Sequence, residues 1–174
     1  MGTRERKRPD TSGTPGYITT EGYLRLEKEA DYLWNEKRPE VTEALSVAAA
    51  EGDRSENAEY IYRKRQLGEI DQRLRFLGKR LDVLTVVTEK PKQDGRVYFG
   101  SYVILEDEDG EMVKYRIVGP DEWEIERNEI SMDSPMGRAL LGKQVDDEVF
   151  IRRPKGDTYF TIIKVSVENN FKQP

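Results

Sequence analysis

The chain has 174 residues, 36% of them charged, and a formal net charge of -5. It contains no cysteine and no histidine, which excludes a disulfide framework, thiolate or imidazole metal ligands and histidine acid–base chemistry, so any chemistry must use carboxylates, hydroxyls, amines or groups borrowed from a partner. No run of about 18 apolar residues exists and the N-terminus lacks the apolar stretch of a secretory signal, so a cytoplasmic protein with no membrane partner is expected.

Residues 1–16 carry Arg4, Arg6, Lys7 and Arg8 and then Pro9, Ser12, Gly13, Pro15 and Gly16. Such a composition buries no core and predicts a disordered, solubilising basic arm. Residues 17–90 read as an antiparallel coiled coil. Thr19 or Thr20 is placed to cap the first helix, with Glu21 favourable against its dipole, and that helix is expected from Thr20 to about Ala49. Tyr23, Leu26, Ala30 and Leu33 alternate steps of four and three, and after a polar interval at Lys37 and Glu40 the seam is expected to resume at Ala44 and Val47. Pro39 lacks a donor and crowds the preceding turn, predicting a kink or irregularity there. From Tyr60 the same alternation returns at Leu67, Ile70, Leu74, Leu77, Leu81 and Leu84. Two helices of roughly 30 residues would make a rod on the order of 45 Å long.

After Leu84 the period changes. Pro91 and Gln93-Asp94-Gly95 mark a linker over 91–99, and 100–174 read as a small antiparallel sheet with one short helix, giving an α+β protein. Strands are expected at Tyr102 to Leu105 and Met112 to Val118 around a hairpin turn at Asp109-Gly110, both of which tolerate positive φ. Two more, Val149 to Ile151 and Tyr159 to Val167, flank Gly156-Asp157. Ser134-Pro135 opens a helix over Met136 to Leu141. Acids far outnumber bases between Glu106 and Arg152, which suits a protein partner better than a nucleic acid.

The segment Gly52-Asp53-Arg54-Ser55-Glu56-Asn57-Ala58-Glu59-Tyr60 falls between the two heptad-patterned stretches, at the expected tip of the rod (52–60). Local physics offers one account, in which Asp53 caps the second helix and Glu56 completes a capping box. The other account is chemical. Carboxylates on a slender projection, with Glu59 one turn later, are hard oxygen ligands suited to Mg²⁺, but too few to hold it without ligands from elsewhere. The second helix is basic, with Arg63, Lys64, Arg65, Arg73, Arg75, Lys79 and Arg80 against Glu69 and Asp71, as expected if a polyanion lies along it.

Several stretches together carry a family resemblance: Tyr32-Leu33-Trp34 with Arg38-Pro39-Glu40-Val41, Gly52 through Tyr60, Glu69-Ile70-Asp71, Arg116-Ile117-Val118-Gly119, and Ser134 through Lys143. The chain from Ile18 to Val167 resembles the bacterial transcript cleavage factors of the Gre family, in their GreB-like branch. The resemblance implies an N-terminal antiparallel coiled-coil hairpin followed by an FKBP-like domain. It implies that the second domain docks at the rim of the RNA polymerase secondary channel while the coiled coil enters it and reaches the 3′ end of backtracked nascent RNA. Asp53 and Glu56 match the family's catalytic acids, which share a Mg²⁺ with the polymerase active centre. Ser55 and Asn57 are candidates to orient water, and Arg63, Lys64 and Arg73 to contact RNA phosphates. Asp146 departs from the family, which has glycine there, and only a local change of turn is expected.

On this reading the protein is an accessory factor and not an enzyme by itself. The alternatives are a channel-binding regulator or inhibitor without cleavage activity, a prolyl isomerase built on the FKBP-like domain, and a coiled-coil scaffold. Retained Asp53 and Glu56 argue against the inhibitor, and no aromatic-lined pocket signature between residues 100 and 167 supports the isomerase.

Overall fold

The computed structural model describes residues 13–51, 57–152 and 156–169. They form two compact units, a helical one built on Leu24–Leu84 and a sheet unit that joins Gly16–Tyr23 to the chain from Thr85 onward. Residues 1–12 of the basic arm expected over 1–16 lie outside the described residues, and Gly16, placed in that arm, instead begins the first strand.

In the helical unit, helix α1 (Thr20–Tyr32) runs through a π-helical turn, Leu33–Lys37, into α2 (Arg38–Ala50), and α3 (Ala58–Val83) returns. The expected irregularity is this π turn, in which the Arg38 N–H donates to the Leu33 carbonyl. Its cause is Pro39, in the first turn of α2. A proline ring crowds the carbonyl four residues back and has no N–H to offer it, and the wider turn accommodates both defects. The extra residue also rotates the seam. Val41 and Ala48 are buried, whereas Val47, expected in the seam, is 55% exposed. A heptad count that ignores the insertion therefore lands one residue early after Pro39.

Ile70 and Leu77 bury the facing side of α3. Polar pairs fix the antiparallel register. Arg73 grips Glu29 with two hydrogen bonds of 2.6 and 2.8 Å, Arg38 Nε donates to Asp71 Oδ1 at 2.8 Å, and Asn57 Nδ2 donates to the Ala48 carbonyl at 2.7 Å. Residue numbers rise along one arm as they fall along the other.

The sheet unit contains two sheets. Strands β1 (Gly16–Thr19) and β2 (Leu84–Val87) pair with each other, an arrangement with no strong sequence signal because both are short and flank helices. The larger sheet has the order β5-β4-β3-β7-β6, with β3 at Tyr102–Asp107, β4 at Met112–Val118, β5 at Glu129–Ser131, β6 at Glu148–Ile151 and β7 at Thr158–Ser166. All neighbours are antiparallel except β4 and β5, which run parallel. Val103, Leu105, Ile117, Val149, Ile151, Phe160 and Ile162 alternate inward and meet Leu140 of helix α4 (Pro135–Leu140), whose N-cap is Ser134. Val97, within the stretch expected as a linker, is fully buried in the same core, and its N–H donates to the Lys143 carbonyl at 2.7 Å.

Two turns differ instructively. At the β3–β4 hairpin only Gly110 takes positive φ, +80°, and Asp107 organises the loop by accepting from the Asp109 and Glu111 N–H groups at 3.0 and 2.9 Å. This is a three-residue loop with glycine in the left-handed position, so of the two residues that tolerate positive φ only Gly110 uses it. At Gln144–Asp147 the Asp147 N–H donates to the Gln144 carbonyl at 3.1 Å, and Asp146 sits at φ +70°. That is the third position of a type II turn, where glycine is the unstrained residue.

Asp146→Gly should raise the unfolding free energy of the full chain by about 0.5–1 kcal/mol, and Asp146→Val should lower it by about 1–2 kcal/mol. Urea denaturation measures both, and a destabilised glycine variant would remove the strain account. The Glu29–Arg73 pair is part-exposed, so a double-mutant cycle should return a coupling of only about 0.5 kcal/mol that shrinks with added salt.

Candidate functional site

The far end of the hairpin is closed by one side chain. Asn57 is the N-cap of α3, its Oδ1 accepting from the Tyr60 N–H at 3.0 Å while its Nδ2 donates to the carbonyl of buried Ala48. The same carbonyl accepts from the Glu51 N–H at 3.3 Å. Gly52-Asp53-Arg54-Ser55-Glu56 join the two helix ends that Asn57 ties together, and Asp53, Ser55 and Glu56 lie outside the described residues. The N-cap of α3 is thus Asn57 and not Asp53, where the capping-box account puts it. Asn57 itself, expected to orient water, has both ends of its amide engaged within the chain.

Glu59, the third acid of the segment, forms an ion pair with Arg63 Nε at 2.7 Å, one helical turn along. Among the described residues no three acidic side chains gather into a group able to hold a metal. The polar interval opposite is also internally paired. Lys37 Nζ lies 3.0 Å from Glu40, and that hydrogen bond holds the ammonium pKa above its ordinary value.

The basic helix divides into committed and uncommitted charges. Arg63 also donates to Gln66 at 3.2 Å, Arg65 pairs with Glu69 at 2.9 Å, Arg73 is held by Glu29, and Arg80 is buried and donates to the Thr14 carbonyl. Of the three expected RNA contacts, Arg63 and Arg73 therefore already have carboxylate partners. Lys64 packs its ammonium 6.0 Å from the Tyr60 ring and makes no ion pair among the described residues. Arg75 and Lys79, exposed and likewise without an ion pair among the described residues, belong to the basic helix but are not among the three residues expected as RNA contacts. On a helix they stand about 20° and 60° around from Lys64 and span about 22 Å, forming one cationic stripe. The sequence carries no signal for Arg75, because Asp71 stands four residues before it and only the pairing of Asp71 with Arg38 across the hairpin leaves Arg75 uncommitted.

The chain matches the N-terminal domain model of transcription elongation factors over residues 16–86 and the GreA/GreB C-terminal domain model over residues 92–167. It is 57% identical over 157 residues to the transcription elongation factor GreB of Pseudomonas aeruginosa, covering 90% of this chain and 93% of that one. Against the GreB of Haemophilus influenzae it is 56% identical over 152 residues, covering 87% and 96%. A solved structure of the transcription factor Gfh1 is 28% identical, aligned over 88% of this chain and 98% of its own with a TM-score of 0.44. With both domain models matched in order along nearly its whole length, the chain belongs to the GreA/GreB family of transcription elongation factors and is GreB-like within it.

Proposed function

We propose that this chain makes bacterial RNA polymerase hydrolyse the 3′ end of its own backtracked transcript, acting from the secondary channel. The sheet unit, read as an FKBP-like domain, docks at the channel rim, and the helical hairpin carries Asp53 and Glu56 to the active centre. The single observation that supports this most is the Asn57 to Ala48 hydrogen bond. It supplies the cap of α3 and ties together the two helix ends that the acidic segment joins, which puts that segment at the closed end of the hairpin.

Asp53 and Glu56 would hold Mg²⁺ together with polymerase carboxylates. Hard carboxylate donors fit that ion, but Glu59 is engaged by Arg63 and two carboxylates fall short of an octahedral set, so the fit is to a shared ion and not to a site of the free chain. When bound, the ion supplies an activated water and stabilises the charge that develops on the phosphodiester. The chain's own share is placement: the cap and the cross-helix pairs fix the two helix ends between which the segment is joined. Lys64, Arg75 and Lys79 neutralise phosphates of the extruded RNA along α3.

Cleavage of RNA by stalled, backtracked polymerase tests the reading. Asp53→Ala and Glu56→Ala should each lower stimulated cleavage on the order of 10- to 100-fold or more, and raise the Mg²⁺ needed, while polymerase affinity stays at the wild-type level. A wild-type chain that binds polymerase and slows it without cleavage would make it a channel-bound inhibitor instead.

A further inference from the structure

The parallel pairing of β4 with β5 obliges the chain to travel back along the sheet, and residues 119–128 make that return. The return segment is pinned throughout. Glu122, buried, accepts from the Gly119 N–H at 2.7 Å and the Thr19 N–H at 2.8 Å, and also from the Thr19 hydroxyl. A Cβ at Gly119 would stand 2.2 Å from the Tyr17 carbonyl, so the backbone is in direct contact with β1. A 3-10 turn, Ile125–Arg127, follows, with the Asn128 and Glu129 N–H groups donating to the carbonyls of Ile125 and Glu124 at 2.9 and 3.0 Å.

This fixed segment holds Trp123 at 51% and Ile125 at 74% exposure. Phe150 and Tyr159, exposed elsewhere on the unit, at least cover each other with ring centroids 5.0 Å apart. Trp123 and Ile125 alternate with Glu124 and Glu126; Arg127 Nε pairs with Glu124 at 2.5 Å, and Glu126 makes no ion pair among the described residues. An apolar pair on a rigid backbone avoids the ordering cost of binding, and tryptophan is the residue type most often found at the energetic centre of protein interfaces. The acidic frame repels phosphate, which disfavours nucleic acid and anionic lipid alike. Its complement is a protein surface with an apolar pocket rimmed by lysine or arginine.

We infer that Trp123 and Ile125, framed by Glu124 and Glu126, are the anchor by which the sheet unit docks on a basic protein surface of RNA polymerase. The inference rests on the functional reading above and names the surface that reading leaves open.

The test measures affinity of full-length chain for core polymerase, with melting curves as folding controls. Ile125→Asp, at a site mostly in solvent, and Trp123→Ala should each weaken binding about tenfold or more. Stimulated cleavage should fall at limiting factor and recover at saturation. The Glu124→Lys, Glu126→Lys double variant should bind more weakly and with a flatter salt dependence. Wild-type affinity in Ile125→Asp and Trp123→Ala would overturn the inference while leaving the cleavage function standing. Failure of the wild type to bind polymerase would overturn both. Sedimentation showing that the wild type dimerises, and that Ile125→Asp does not, would assign the surface to a second copy and overturn it as well.

Discussion

A proline inside a helix that must keep one face apolar is the constraint on which the helical unit depends. Pro39 removes a donor and crowds a carbonyl, yet the seam has to continue on both sides of it. The π turn at Leu33–Lys37 resolves the conflict by inserting one residue, after which Val41 and Ala48 occupy the buried side. Everything beyond the turn depends on that rotation: Ala48 faces α3, its carbonyl is within reach of Asn57, and the two helix ends that bracket the acidic segment are joined. A straight helix with the simple heptad would have turned Val47 inward and moved Ala48 off that face.

The charges on the hairpin follow from the same packing. Once α1, α2 and α3 are aligned, Glu29 and Asp71 come opposite Arg73 and Arg38, and these arginines become register markers. Part-exposed pairs of this kind add little stability each, but they disfavour a slipped alignment, in which like charges would meet. What remains on α3 is narrower than the total of basic residues suggests. The stripe of Lys64, Arg75 and Lys79 has the length and sign to follow a nucleic-acid backbone, and it runs along the helix that ends at the Asn57 latch.

In the sheet unit the organising interaction is a buried carboxylate. Glu122 receives the N–H groups of Thr19 and Gly119 and the hydroxyl of Thr19, so the strand before α1 and the segment after β4 are held by one side chain. Thr19 in turn accepts from the Gly22 N–H at 3.0 Å and thereby caps α1. A carboxylate so enclosed is tolerated only because its oxygens are bonded. Removing it would leave donors of β1 and of the return segment facing a void, and the backbone that presents Trp123 would lose its anchor.

Local periodicity sufficed for the two heptad stretches, the strands at Met112–Val118 and Tyr102–Asp107, the Ser134-capped helix and the position of the acidic segment, because each depends on residues near one another in sequence. Asp146 was likewise legible as a turn residue, since a positive φ is a demand on one residue's backbone. Tertiary structure alone decided the rest. The seam shift after Pro39 depends on how two helices share a core. The identity of the cap depends on Asn57 finding the Ala48 carbonyl nine positions away. Strands β1, β2 and β5 are too short to announce themselves and exist only through their neighbours. Which basic residues are uncommitted is a property of pairing across the hairpin, and it cannot be read from a count of charges, because an ion pair requires two side chains to meet in space.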